Sequence, residues 1–219
     1  MLICISQLAF ADGDTIRNYR SKKDLYPAQP VLIKTSPTAF LWGGIFPFTS
    51  EYRIMIEIPS SKLQSEQIGF SYLGKNVFLS AFEKSSKQAT NFAFKVSGWR
   101  FQYAHKFYFG NRGHEAPYGL YIAPSFSYSN AHVSIGLNRY YHQTYFDFRH
   151  VNGNIILGLQ TGRSSRMKID IDGGFGYKTN NVFYHASAYR IFKYDTSDFG
   201  DFYNGHLSLV FDINIGYFF

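Results

Sequence analysis

The chain has a single cysteine, Cys4, so no internal disulfide can staple its fold. Past the N-terminal segment it contains no run of 18 or more apolar residues, which excludes a membrane-spanning helix. Charged residues make up only 17%, too few for a well-solvated soluble surface. The formal balance is +7, with a pI near 9.3, but the basic residues are scattered among apolar stretches. No basic helix or Gly-rich loop gathers them, so no nucleic-acid partner is expected. Also missing are a P-loop, a Gly-x-Ser-x-Gly elbow and any zinc-like Cys/His spacing, so no metal, no cofactor and no enzymatic activity are expected.

What is abundant is aromatic: 18 Tyr and 23 Phe, with 19 Gly, at a mean hydropathy of only −0.20. High aromatic content at middling hydropathy fits a chain of strands with one greasy and one polar face. The clearest stretch is Gly205 to Phe219. Leu207, Leu209, Phe211, Ile213, Ile215, Tyr217 and Phe219 alternate with mostly small or polar residues, among them Asp212 and Asn214. A period of two over that length predicts an extended strand.

The same alternation recurs along the chain. Tyr52, Ile54, Ile56 and Ile58 oppose Glu51, Arg53, Met55 and Glu57; Ile68, Phe70 and Tyr72 oppose Gly69, Ser71 and Leu73. Val96 to Phe109, Tyr118 to Ser129, His150 to Gly162 and Met167 to Lys178 continue the pattern. His105 falls on an apolar face, which predicts a bulge or an interfacial position, and Pro124 predicts a bulge of its own. With a weaker candidate at Val31 to Trp42, these make eight strands; ten remain possible if Val182 to Tyr194 and His132 to Phe148 are strands too. The connections near 59–66, 110–117 and 163–166 are short and read as periplasmic. Those near 75–95, 130–149 and 179–204 are long and read as extracellular.

Interior volume decides which face points inward. An eight-strand barrel has room inside only for side chains, and the apolar faces are too bulky to fit there. The expected fold is therefore an all-β, transmembrane, antiparallel up-and-down barrel with its apolar face on lipid. Its lumen then holds Glu51, Arg53, Glu57, Arg100, Lys106, Lys168, Asp170, Asp172 and Asp212. Charges so confined need partners, which predicts an acid–base network with Asp170 and Asp172 facing Lys or Arg of other strands. Residues 1–11, ending in Ala9-Phe10-Ala11, read as a signal peptide whose true start lies upstream. Residues 12–30 read as a flexible periplasmic lead-in, and 31–219 as the barrel.

Leu32-Ile33-Lys34-Thr35-Ser36-Pro37, Glu51-Tyr52-Arg53, Ser71-Tyr72-Leu73-Gly74-Lys75 and Tyr121-Ile122-Ala123-Pro124 resemble blocks of small bacterial outer-membrane barrels of an uncharacterised family, as does the Gly-rich Met167 to Lys178 stretch. The resemblance implies an outer-membrane location among lipid and lipopolysaccharide. It also implies that Tyr217 and Phe219 belong to the signal read by the barrel-insertion machinery. The expected role is structural, adhesive or accessory to a surface protein complex, with a narrow solute channel as the alternative. A further alternative is a lipid A-modifying enzyme. Ser127-Tyr128-Ser129-Asn130 resembles the His-x-Ser-Asn pattern of lipid A deacylases, but a serine stands where the histidine should be. His132 and Ser134 lie close by, with no acidic residue before Asp147.

Overall fold

The computed structural model describes residues 31–41, 49–78, 80–81, 92–109, 116–137, 144–162, 166–187, 190–194 and 205–219. The expected signal peptide and the whole of the lead-in lie outside them. Among these residues nine strands occur: β1 Leu32–Thr35, β2 Thr49–Ser61, β3 Gln64–Lys75, β4 Phe92–Tyr108, β5 Gly119–Leu137, β6 Thr144–Thr161, β7 Met167–Ser187, β8 Arg190–Tyr194 and β9 Leu207–Phe218. Every pairing between them is antiparallel. Neighbours in sequence pair from β1 to β7, β7 pairs β9, and β9 pairs β1 through Leu32↔Phe218 and Thr35↔Ile215. That last ladder closes the sheet into a barrel, the arrangement that removes free edges.

The barrel has eight positions, not ten. β8 lies on β7 at Val182–Ser187 and β9 lies on β7 at Met167–Tyr177, both on the flank away from β6. They share the eighth position, one beyond the other.

The long connections are shorter than the sequence suggested. β5, β6 and β7 run for 19, 18 and 21 residues, so most of 130–149 and much of 179–204 is strand. A bilayer needs only about 9–11 residues per tilted strand. The tall wall from β4 to β7 therefore continues well past that height, whereas β3 and β9 have 12 residues each.

The first strand candidate also differs. Only Leu32–Thr35 is extended, and Pro37–Leu41 forms a short helix, α1. Ser36 caps it, its Oγ accepting the Ala39 N–H at 3.1 Å, and Pro37 takes the first helical position, where no N–H is required.

The bulge expected at Pro124 does not form, and at His105 the bulge alternative falls away. Pro124 pairs with Ile155 in an unbroken β5–β6 register. Towards β4 the ladder has no partners between Ala104↔Ser125 and Phe107↔Ile122, yet resumes in the same register. The missing N–H costs rungs without shifting the strand. His105 likewise stands in continuous register with β3, on the outside, with Nδ1 2.5 Å from Glu66 Oε1 and its ring 4.4 Å from that of Phe107.

Candidate functional site

Alternation places the lumen residues. On β2, Glu51, Arg53, Met55 and Glu57 are buried inside, while Tyr52, Ile54, Ile56 and Ile58 are exposed outside. β9 does the same with Asp212 and Asn214 inside; Leu209 and Phe211 outside are 68% and 66% exposed. Side chains this apolar and this exposed would be costly against water, while these charged groups lie within. This is the arrangement of a transmembrane β-barrel, the reverse of a soluble one.

The internal charges fall into two clusters. The one nearer the short turns joins Lys34, Glu57, Lys106 and Asp170 from β1, β2, β4 and β7. Lys34 Nζ lies 2.6 Å and Lys106 Nζ 2.7 Å from Asp170 Oδ2, and both amines also meet Glu57. Neutral donors complete it: Tyr108 O–H and Ser65 O–H donate to Glu57 Oε1 at 2.6 and 2.5 Å, and Tyr121 O–H donates to Asp170 Oδ1 at 2.8 Å. The second cluster joins Glu51, Arg53, Arg100 and Asp212. Arg53 bridges Glu51, at 2.8 Å, to Asp212, and Arg100 reaches Glu51 at 3.1 Å. Ser36 and Thr38 hydroxyls donate to Asp212 Oδ1 at 2.6 and 2.8 Å, and Ser71 to Glu51 at 2.6 Å.

Each cluster balances two cations against two carboxylates, which is how confined charge is tolerated. Strands far apart in sequence are thus tied across the lumen.

Two expected members behave differently. Asp172 lies inside but has no cationic partner among the described residues; it accepts from Asn214 Nδ2 at 3.0 Å and from the Tyr121 hydroxyl at 3.4 Å. Lys168 joins neither cluster. Its amine donates to the Gly162 carbonyl and lies 5.0 Å from the Phe218 ring, because it stands at the end of β7 beside the turn. Lys34 is a central member that sequence reading overlooked, since a four-residue strand shows too little alternation to reveal a face.

Between the clusters lies a cavity of about 50 Å³, lined by Arg53, Arg100, Asn154, Asp172 and Asn214 among others. The Oδ1 atoms of Asn154 and Asn214 and Arg100 Nε lack protein partners among the described residues, and the volume suffices for water.

At the far end of the tall wall the two faces exchange character. Inside, Leu73, Val96, Ala131, Val133, Phe148 and Val182 form a buried apolar cluster, with Phe146 against it. Outside, the same strands present Ser97, Asn130, His132, Asp147 and Arg149. The change falls at an aromatic band: Trp99 and Tyr128 have ring centroids 5.3 Å apart, Tyr52 and Tyr72 6.3 Å, and Tyr177 stacks on His206 at 4.9 Å. Such rings mark the boundary of an apolar wall. Tyr217 and Phe219 lie outside at the opposite end, 5.2 Å apart.

Ser127 and Ser129, from the deacylase-like pattern, face inward and are buried, Ser127 accepting from Arg100 at 3.1 Å. His132 and Asp147 face outward together, Nδ1 to Oδ1 at 2.7 Å. That partnership depends on strand register and could not be read from spacing alone.

No protein-family model matches the chain, and no curated protein matches it either. The chain is similar to the crystal structure of a major outer membrane protein from Thermus thermophilus. That likeness covers 88% of this chain and 100% of the other, at 8% identity and a TM-score of 0.46.

Proposed function

We propose that the chain crosses the bacterial outer membrane as a sealed, non-conducting barrel. It anchors a projecting β collar, with a structural, adhesive or accessory role towards a surface protein complex. The observation that carries this is the pair of balanced charge clusters, which strut the lumen between β1, β2, β4, β7 and β9. A conduit would need a continuous wet path, whereas the ion-paired side chains of both clusters reach across the lumen, and the cavity beside Arg53 and Arg100 holds only about 50 Å³. The apolar lower wall suits lipid and lipopolysaccharide acyl chains, and Tyr217 and Phe219 are offered to the insertion machinery during assembly.

Two measurements test the reading together. Cell fractionation should recover the chain with the outer membrane, with a gel band that shifts on boiling. Planar bilayers containing it should show no steady current; a reproducible single-channel conductance would contradict the sealed lumen.

A further inference from the structure

The outer wall of β4, β5 and β6 carries three polar rungs just past the aromatic band. Ser97 pairs with His132, and His132 pairs with Asp147, so these three residues stand in one line across three neighbouring strands. Opposed side chains on one sheet face have Cβ atoms about 4.5–5.5 Å apart, a gap that a serine hydroxyl can close towards the imidazole by rotating about χ1. The Nδ1 of His132 is held by Asp147 Oδ1 at 2.7 Å, and the ring lies 4.6 Å from that of Tyr145. With its proton on Nδ1, facing the carboxylate, the imidazole presents the Nε2 lone pair as a base. Ser97, Trp99, Asn130, His132 and Asp147 all border one open depression.

We propose that Ser97, His132 and Asp147 form a serine-type site on the outer wall that hydrolyses an acyl ester of an anionic lipid in the adjoining leaflet. Ser97 is the nucleophile, His132 the acid and base, and Asp147 the positioning residue; the roles follow from geometry, whatever the chain order. Ser97 Oγ attacks the ester carbonyl as His132 Nε2 takes its proton. The alcohol leaves with that proton, and the acyl group stays on Ser97. Water, deprotonated by the same nitrogen, then releases the fatty acid and restores the serine. The Asn130 side-chain amide, one rung away, is placed to donate to the oxyanion.

The surroundings select the substrate. Beneath the line are Trp99, Phe101 and Tyr128, which face acyl chains in the membrane reading. Lys95 lies one rung above and Arg149 one rung below, on the flanking strands, and suits a phosphate at headgroup height. A phospholipid and lipid A share that chemistry: an ester beside a phosphate, at the edge of the apolar layer. The site goes beyond an anchoring role and departs from the expectation that the chain is not an enzyme. Only its lipid substrate rests on the membrane placement, so a soluble ester tests the site separately.

The test uses the full chain refolded in detergent, with p-nitrophenyl butyrate, a fluorophosphonate probe, and mixed micelles of phosphatidylglycerol or of lipopolysaccharide. The expected result is ester cleavage and a probe adduct on the Ser97 peptide. S97A and H132N should each lower the rate by about 10²–10⁴-fold while keeping the heat-shifted gel band. D147N should lower kcat at unchanged KM, with partial recovery in D147E, and S134A should stay active. Fatty acid released from one micelle only assigns the source, phospholipid or lipid A. Cleavage of the soluble ester with neither lipid touched would overturn the substrate and leave the site. Loss of activity in S134A with S97A active would overturn the nucleophile. No adduct and no cleavage of any of the three would overturn the proposal.

Discussion

The lower and upper parts of the tall wall use the same strands and the same alternation, with opposite chemistry. On β5, Tyr121, Ala123, Ser125, Ser127, Ala131 and Val133 all point inward. Tyr121 and Ser127 belong to the polar lumen, whereas Ala131 and Val133 belong to an apolar core. Outside, Leu120 and Phe126 give way to Asn130, His132 and Ser134. Backbone geometry does not change across this boundary; on the proposed membrane placement, the surrounding medium does. A strand of fixed period two serves lipid and water in succession by exchanging which parity is apolar.

Removing a charge from the lower part should do most damage. Asp170→Ala leaves Lys34 and Lys106 with an uncompensated buried positive charge, and should cost about 3–5 kcal/mol. Asp172→Asn removes a carboxylate without a cationic partner among the described residues and should shift stability by less than about 1 kcal/mol. Thermal loss of the heat-shifted band in detergent compares the two; equal destabilisation would mean that the cluster is not what holds the lumen.

Next comes the outer wall. Phe211→Arg, on the lower outside about midway between the Tyr177–His206 and Tyr217–Phe219 ring pairs, should cost about 2–4 kcal/mol in a bilayer. Ser134→Arg, on the upper outside, should cost about zero. Denaturant titration in lipid vesicles measures both, and similar penalties would break the contrast between the zones.

The upper core should respond as a soluble core does. Leu73→Ala opens a cavity among Val96, Val133 and Val182 and should cost about 2–4 kcal/mol. Its effect should persist in detergent, where the lipid-face penalty weakens. Lys168→Gln should also be mild, about 1 kcal/mol or less, since Lys168 lies at the turn end outside both clusters and glutamine can still donate to the Gly162 carbonyl.

This exchange explains what the sequence could and could not reveal. β9 was legible throughout because its odd residues stay apolar from Leu207 to Tyr217, all within one medium. β5 and β6 were legible only up to the boundary. Past Ser129 the apolar parity moves from even to odd, so His132 to Phe148 reads as a polar-aromatic loop although most of it is strand. The charged lumen residues were visible by parity, but their partners were not. Glu51 meets Arg100 across 49 positions, and Asp170 meets Lys34 across 136. The inward turn of Ser127 and the outward pairing of His132 with Asp147 likewise follow from register, which no local pattern specifies.

Collision accessibility of spin labels in lipid bilayers tests the two-zone account most directly. Single cysteines, in a chain with Cys4 replaced, would stand at Phe126, Ile155 and Leu209 below the aromatic band and at Ser134, Arg149 and Asn181 above it. The account predicts oxygen-rich, water-poor collisions at the first three and the reverse at the second three. Water-soluble relaxant reaching Phe126, Ile155 and Leu209 as freely as Ser134 would contradict it.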